Sequence, residues 1–233
     1  MRHLLMLTAL LACMNTHAAD FKRTLKLAES GDMNAQFNLG TMYQEGDVIP
    51  ENDSKASLWF RRAALQGHTE AAYRVGVLYD EGRSIQESDV KAVKWWSMAA
   101  EKGHALAQYN LGLMYRSGAG VTANAALALK WYSKAAAQGQ VNAQYNLAHM
   151  YYKGIGIPEN FVRSYVWFSM VKTQGVREAA PYMKSLRAMM TLEQMGEAQA
   201  LATRCYESNF NDCESNGERP SVPRKPSSQK LNM

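Results

Sequence analysis

The chain has 233 residues, of which 47% are hydrophobic, and it carries a formal net charge of +5 at pH 7. A chain of this length and composition can bury a large core. The excess of positive charge is not concentrated in a dense run of Lys or Arg, which argues against nucleic-acid binding and indicates a charge that serves solubility.

The amino terminus has the pattern of a targeting segment. Arg2 precedes an apolar run over residues 4–14, and a short stretch of small residues follows. The pattern predicts a secretory signal peptide, residues 1–19, that is cleaved after Ala18 or Ala19. The apolar run is too short to span a bilayer as a stable helix.

A second interpretation of the same segment stays open. Leu10, Leu11, Ala12 and Cys13 match a lipoprotein processing box, in which Cys13 is lipidated and becomes the first residue of the mature protein. The favoured interpretation predicts a periplasmic or secreted protein. Without residues 1–18, 25 Lys and Arg stand against 21 Asp and Glu, a net charge of +4.

The central part of the chain repeats itself every 36 residues. Five columns keep this spacing over four units without an insertion, which establishes an array of repeats. The columns are Gly40, Gly76, Gly112 and Ala148; Tyr43, Tyr79, Tyr115 and Tyr151; Gly46, Gly82, Gly118 and Gly154; Trp59, Trp95, Trp131 and Trp167; and Gly67, Gly103, Gly139 and Gly175. The tryptophans are predicted to be core residues rather than a ligand cage.

Each unit is predicted to form two helices. In residues 107–117 the apolar side chains fall on one face of a helix, a glycine-containing turn follows, and a second apolar stripe ends at Gly139. Gly112 lies inside the first helix, where glycine costs about 1 kcal/mol relative to Ala, and its recurrence predicts a close helix–helix approach. So short a hairpin cannot bury its apolar stripe alone, so neighbouring units must stack into an α-solenoid.

These residues resemble the Sel-one-like repeat, a relative of the tetratricopeptide repeat. The order Ala-x-x-x-Leu-Gly-x-x-Tyr, Gly-x-Gly and Lys-Ala-x-x-Trp-Tyr-x-x-Ala-Ala-x-x-Gly covers residues 34–175. Val48 and Ser84 depart from the pattern at the second loop glycine, and Val171 with Lys172 replaces the Ala-Ala pair. The resemblance implies an all-α, right-handed solenoid that acts as a scaffold for protein–protein contacts, in a family with many exported bacterial members.

Both ends of the array are predicted to be capped. Residues 20–33 correspond to the second half of a unit, because Gly31 lies 36 residues before Gly67, and such a half-hairpin covers the open end of a solenoid. Residues 176–213 are predicted to form two capping helices. From residue 214 to 233, Pro, Ser, Lys and Arg dominate, which predicts a disordered tail.

Three residues define the predicted carboxy-terminal helices. Pro181 fits only the first turn of the first helix. Thr191, with Gln194 three residues later, matches a capping box that opens the second helix.

Cys205 and Cys213 are the pair that remains after Cys13 leaves with the signal peptide. In an oxidising compartment this pair is predicted to form a disulfide across a loop of seven residues. The alternative is two free thiols in a frayed terminus.

Catalysis and metal binding find little support in the sequence. None of the five histidines is paired with an acid or a thiol at ligand spacing. Ser-x-x-Lys occurs at unrelated repeat positions, without the companion motifs of penicillin-binding enzymes; the copies are Ser88–Lys91, Ser169–Lys172 and Ser227–Lys230. The chain is predicted to be non-enzymatic, with no metal or cofactor. The alternative is a cell-wall or β-lactam-directed hydrolase, as some cysteine-rich relatives of this repeat have been described.

The first helix of each unit is predicted to display a surface for a protein or peptide partner. In related arrays these helices line the concave face. Amides, one guanidinium and aromatic rings suit an extended peptide, and an ordinary solvated face with half-buried aromatics is the alternative. The predicted partner-binding residues are Asn38, Arg74, Asn110, Asn146, Tyr73, Tyr109, Tyr145 and His149.

Arg74 is the most distinctive of these residues. Asparagine holds the equivalent position in the three other units. The five donors of a guanidinium form a fixed fork that suits a carboxylate, so Arg74 is predicted to bind a carboxylate of the partner.

Overall fold

The computed structural model describes residues 19–47, 49–83 and 87–214. Within these ranges every regular element is an α-helix, and there are eleven. Several features predicted from the sequence fall outside them: residues 1–18 of the signal peptide, the alternative lipidation site Cys13, the loop positions Val48 and Ser84, and residues 215–233 of the tail.

First and second helices of a unit alternate along the chain. The first helices are α2 (Met33–Glu45), α4 (Thr69–Asp80), α6 (Ala105–Ser117) and α8 (Val141–Lys153). The second helices are α3 (Asp53–Leu65), α5 (Asp89–Glu101), α7 (Ala125–Ala137) and α9 (Phe161–Thr173). Helix α1 (residues 19–29) precedes them, and α10 (Ala179–Met189) and α11 (Leu192–Glu207) follow. From α2 to α9 each helix packs on its neighbours in the chain, which confirms the predicted all-α solenoid of hairpins.

Side-chain caps and glycines set the helix ends. At the start of α7, Asn124 Oδ1 accepts a hydrogen bond from the N–H of Leu127 at 3.0 Å, as an N-terminal cap does. After α7, the N–H of Gly139 donates to the carbonyl of Ala136 at 2.9 Å. The φ of Gly139 is 80°, a region that glycine adopts without steric cost. The turn between two units therefore depends on glycine.

An aromatic ring of the second helix lies against the glycine inside the first helix of the same hairpin. The three pairs are Phe60 on Gly40, Trp96 on Gly76 and Tyr132 on Gly112. A Cβ built on Gly112 would lie 2.5 Å from Tyr132 ring atoms, and all three rings are buried. The predicted close approach is therefore that of a ring to a helix backbone. In the fourth unit, where Ala148 replaces the glycine, the corresponding ring is the buried Phe168.

The predicted tryptophan column lies beside these rings. Trp59, Trp95 and Trp167 are buried, whereas Trp131 is half-buried. The Lys134 ammonium lies 4.8 Å from the centre of the Trp131 ring. The tryptophans are thus part of the core, and each is the residue before the ring that contacts the glycine of its hairpin or, in the fourth unit, before the corresponding Phe168.

Three buried glutamines join consecutive hairpins. Gln108 Nε2 donates to the carbonyl of Ala100 at 3.0 Å, and its Oε1 accepts from Gln138 Nε2 at 2.7 Å. One amide thereby connects α5, α6 and the end of α7. Gln36 and Gln144 make the same pair of bonds in their own units. These buried amides are satisfied on both sides, as buried polar groups in folded proteins are.

The second unit departs from the glutamine pattern. Ala72 occupies the glutamine position, so the amide bridge is missing there. Lys102 takes over the link to the preceding unit, since its Nζ donates to the carbonyl of Gly67 at 2.7 Å.

Helix α10 takes the place that the first helix of a fifth unit would have. Its Tyr182 stacks on Phe168, with ring centres 4.8 Å apart and an angle of 7° between the planes. Pro181 lies in the first turn of α10. At the start of α11, Thr191 and Gln194 form a capping box.

A disulfide joins Cys205 at the end of α11 to Cys213. The Cα atoms of the two cysteines are 4.4 Å apart, and both residues are buried. The bridge ties the last helix to the turn beyond it.

Glu214 folds back onto the fourth unit. Its carboxylate accepts hydrogen bonds from the Tyr151 hydroxyl at 2.7 Å and from Trp167 Nε1 at 2.8 Å. Arg163 Nη1 lies 3.1 Å from the same carboxylate, and burial together with this carboxylate raises the pKa of Tyr151. Although composition assigned Glu214 to the tail, the fourth unit holds it.

The contact between ring and glycine makes a stability prediction. Gly112→Leu forces a side chain into the space of the Tyr132 ring and should lower the free energy of unfolding by about 1–3 kcal/mol through overpacking. Chemical denaturation followed by circular dichroism measures the change.

Gly196 provides the matched control. It lies in α11, and a Cβ there would meet no atom within 4 Å. Gly196→Leu should leave stability unchanged or raise it slightly, because leucine is a better helix former than glycine. Equal stability of the Gly112→Leu variant and the wild type would contradict the packing described above.

The disulfide makes a second prediction. Peptide mapping without reductant, on protein purified from an oxidising compartment, should find Cys205 and Cys213 in one cross-linked fragment. Replacement of both by serine should cost about 2–3 kcal/mol, the expectation for a short closed loop. Two alkylatable thiols at these positions in that material would overturn the prediction.

Candidate functional site: the first-helix face

The candidate site is the solvent-facing side of α2, α4, α6 and α8, which we call the first-helix face. Polar side chains bridge successive first helices there. Arg74 Nη1 donates to Gln44 Oε1 at 3.1 Å, joining α4 to α2. Arg116 Nη1 donates to Asn146 Oδ1 at 3.4 Å, joining α6 to α8. These two bonds join the first unit to the second and the third unit to the fourth.

Glu70 supplies a carboxylate to Arg74 from within the chain. Arg74 Nε donates to Glu70 Oε1 at 2.8 Å, one helical turn away on α4. The other oxygen, Oε2, lies 2.8 Å from His104 Nε2. Burial raises the pKa of Glu70, but the hydrogen bonds from Arg74 and His104 outweigh it and leave the pKa below its ordinary value. Glu70 is therefore an anion that fixes both partners.

His68 and His104 cap first helices through Nδ1. His104 Nδ1 accepts from the N–H of Ala107 at 3.2 Å, and His68 Nδ1 accepts from the N–H of Ala71 at 3.1 Å. The proton of each neutral imidazole is therefore on Nε2, and His104 donates it to Glu70. Burial lowers the pKa of His68, against an opposing effect of Glu70.

Phe37, Tyr73, Tyr109 and Tyr145 form an aromatic column at the 36-residue spacing. In the first two units this column packs on the two histidines. Tyr73 stacks on His104 with ring centres 4.4 Å apart, and Phe37 stacks on His68 at 4.3 Å. Burial, with the Glu70 carboxylate nearby, raises the pKa of Tyr73. Both rings of the column are half-buried, so each packs inward and still presents an edge to the face.

The third unit carries the least engaged residues of the predicted set. Tyr109 is half-buried and packs against Tyr132 with ring centres 6.0 Å apart. The Asn110 side chain makes no hydrogen bond within the described residues. The same holds for Asn38 in the first unit, which borders a groove of about 340 Å³ between α1 and α2.

Tyr182 covers the fourth unit. It meets Tyr145 and His149 edge-on, with ring centres 6.1 and 5.8 Å apart. Burial, with Tyr182 as hydrogen-bond partner, raises the pKa of Tyr145 to about 12. Burial and the nearby Lys153 lower the pKa of His149. Three of the eight predicted residues lie in the fourth unit. Tyr145 and His149 contact Tyr182 of helix α10, and Asn146 accepts a hydrogen bond from Arg116.

The sequence could have indicated part of this arrangement. Glu70 and Arg74 are four residues apart on one helix, a spacing that pairs opposite charges. The roles of Gln44 and Tyr182 depend on stacking between units, for which the repeat columns contain no residue-level signal.

The two described copies of Ser-x-x-Lys have structural roles. Ser88 caps α5, its Oγ accepting from the N–H of Lys91 at 3.4 Å, and Ser169 Oγ donates to the carbonyl of Tyr165 at 2.8 Å. Neither serine hydroxyl bonds a side-chain base. Ser227 lies outside the described residues.

The described ranges, 19–47, 49–83 and 87–214, contain no group of three or more His, Cys, Asp or Glu arranged to hold a metal ion. No helix in these ranges is long and apolar enough to cross a membrane.

The histidine cap predicts a pH dependence of stability. Because the folded pKa of His68 is lowered, the unfolded chain takes up its proton first as the pH falls below about 6.5. The contribution of the His68 cap to the free energy of unfolding is complete above that pH and is lost as the pH falls through the pKa of His68 in the folded protein. The reason is that an imidazolium cannot accept the hydrogen bond from the N–H of Ala71. His68→Asn keeps the cap at every pH. Its melting temperature should therefore fall less than that of the wild type between about pH 7 and pH 5.

Asp32→Asn is the matched control for this experiment, because Asp32 caps α2 in the same way without an imidazole. The cap is worth about 1 kcal/mol. Parallel losses of melting temperature in the wild type and His68→Asn would contradict the role of His68.

Comparison with known proteins agrees with this architecture. The Sel1 repeat pattern matches residues 34–68, 69–104, 105–140 and 141–175. A Sel1 repeat protein from Oxalobacter formigenes is 36% identical with a TM-score of 0.64, over 68% of this chain and 65% of that one. A protective antigen of uropathogenic Escherichia coli with an SLR fold is 26% identical with a TM-score of 0.52, over 87% of this chain and 52% of that one.

The chain thus spans about two thirds of the first structure and about half of the second. No curated protein matches it. Four matched repeats cover more than half of the sequence, and the chain belongs to the Sel1 repeat family.

Proposed function

We propose that the protein is a non-enzymatic scaffold that binds an extended peptide segment of a protein partner along the first-helix face of units one to three. Sel1 repeat proteins are generally scaffolds for protein interactions. The observation that carries the proposal for this chain is the state of Arg74. Its guanidinium is fixed by Glu70 and Gln44, yet 40% of its side chain remains exposed.

The chemistry of this site favours a peptide backbone over a carboxylate. Two of the five guanidinium N–H groups are used within the chain, so donors remain for a ligand. Glu70 already balances the positive charge, which weakens the attraction for an acidic side chain. A neutral carbonyl oxygen is the better match for the remaining donors.

The neighbouring residues extend the site. The amides of Asn38 and Asn110 each offer donors and an acceptor, as the two faces of a peptide bond require. Tyr73 and Tyr109 are half-buried, and they offer flat apolar contact at low cost in side-chain entropy. In the fourth unit, Tyr145 and His149 contact Tyr182 instead, which is why the proposal ends at unit three.

We also propose that the protein works outside the cytoplasm, in the periplasm or secreted. The Cys205–Cys213 bridge supports this, because disulfides persist in oxidising compartments and are rare in the cytosol.

Peptide selection tests the proposed binding face. Peptides chosen from a random display library on the wild-type protein are measured against Arg74→Ala by calorimetry. Loss of a hydrogen bond to a charged group should weaken binding by about 1.5–3 kcal/mol. Melting should change little, because a half-exposed ion pair contributes under about 1 kcal/mol.

Arg61→Ala is the control, because Arg61 is an exposed cation on the second helix α3. It should leave peptide binding unchanged. If Arg74→Ala bound the peptides normally and Arg61→Ala did not bind them, the proposed site would be on the wrong side of the solenoid.

A further inference from the structure

Three of the second helices share an excess of positive charge. Helices α3, α5 and α7 contain seven Lys and Arg against three Asp and Glu, a net charge of +4. The first helices α2, α4, α6 and α8 contain three of each, a net charge of zero. These three second helices are therefore basic, whereas the first helices are neutral in sum.

These cations point to solvent and have no acidic partner. All seven are exposed: Lys55, Arg61, Arg62, Lys91, Lys94, Lys130 and Lys134. The ion pairs of the described residues involve other cations, namely Arg74, Arg83, His104, Arg163 and Arg204. Four of the seven lie over aromatic rings, which leaves their positive charge uncompensated.

The acids on the same helices do not neutralise this surface. Asp53 and Asp89 are in the first turns of α3 and α5, where the helix amino terminus favours an anion. Asp53 is also bonded to Arg83, at 3.1 Å. Only Glu101 is an exposed acid of these three helices.

Aliphatic side chains are exposed among the cations. Leu58 and Leu65 on α3 are 46% and 71% exposed, and Val90 on α5 is 65% exposed. A surface that served solubility alone would gain nothing from them. Alternating cations and aliphatic groups are what the headgroup region of a bilayer accommodates, since Lys and Arg reach phosphates while apolar groups enter the acyl boundary.

The second helices lie side by side in the array, so their charges form one surface. Lys102, just after α5, donates to Gly67, just after α3. Gly120, in the loop before α7, lies against the backbone of Asp89 and Val90 at the start of α5. We call the exposed sides of α3, α5 and α7 the second-helix face.

We propose that the second-helix face docks on the surface of a bilayer that contains anionic phospholipid. The cations supply attraction to lipid phosphates, and Leu58, Leu65 and Val90 insert at the boundary of the acyl chains. A nucleic acid would use the charges but would leave the exposed aliphatic groups without a role, and the vesicle experiment below separates an acidic protein from lipid. Docking through this face leaves the first-helix face to a different ligand.

Vesicle sedimentation tests the proposal with the full chain. Wild type should sediment with vesicles of phosphatidylcholine containing about one part in three phosphatidylglycerol, and to a much smaller extent with pure phosphatidylcholine. Binding should weaken as salt rises from about 0.05 to 0.5 M, because salt screens exposed charges.

A triple charge reversal locates the face. Arg61→Glu, Lys94→Glu and Lys130→Glu together place one reversal on each of the three helices, at exposed side chains with no hydrogen bond or ion pair in the described structure. This variant should bind anionic vesicles more than about tenfold more weakly. Glutamate is a good helix former, so circular dichroism should report an intact fold.

The matched control reverses three exposed cations elsewhere: Lys26, Lys153 and Lys184, each to Glu. It has the same net charge as the first triple variant and the same amino terminus, so any effect of residues 1–18 on lipid is shared. The control should bind like the wild type. If both triple variants lost vesicle binding equally, the binding would depend only on the net charge of the protein, and the proposal would be overturned. The proposal would also be overturned if the wild-type protein bound soluble polyglutamate but did not sediment with anionic vesicles.

Discussion

The contact between a buried aromatic ring and a glycine sets the spacing of every complete hairpin but the last. A Cβ on Gly40, Gly76 or Gly112 would lie 2.6 Å or less from a ring atom. The first helix therefore tolerates a residue that costs about 1 kcal/mol in helix propensity, because the ring fills the space that a side chain would take. Since protein interiors are close-packed, the distance between the two helices follows from this one contact.

Spacing within a hairpin does not by itself align one hairpin with the next. The buried glutamines do this, because each amide bonds the end of the preceding second helix and the end of its own hairpin at once. The pattern is interrupted once, where Ala72 replaces glutamine and Lys102 bonds Gly67 instead. Stability of a solenoid depends on such nearest-neighbour interfaces, so the seam at Ala72 is chemically distinct from the others.

The repeat period was sufficient to predict the fold, because each column reports the same local environment four times. Gly112 could be assigned to a close approach from its position inside a helix, but the ring it meets lies twenty residues away on the partner helix. The buried glutamines recur at the same period as the tryptophans, with one gap at Ala72, so a signal for them was present. Sequence periodicity contained no signal for the contacts of Tyr182 and Glu214, because both lie beyond the last unit and act where the period has ended.

Departures from the period also bear on recognition. An array of identical faces would bind one extended peptide equally well in several registers, each shifted by a whole unit. On the proposed face, only the second unit has a guanidinium in the column that is otherwise asparagine, and it is fixed there by Glu70 and Gln44. At the carboxy-terminal end, Tyr182 packs edge-on against Tyr145, which removes the register that would use the fourth unit. A peptide that places a carbonyl against Arg74 thus loses that bond in any other register, and this difference in free energy is what specificity requires. The residues that break the repeat are therefore those that would give a repetitive scaffold a single mode of binding.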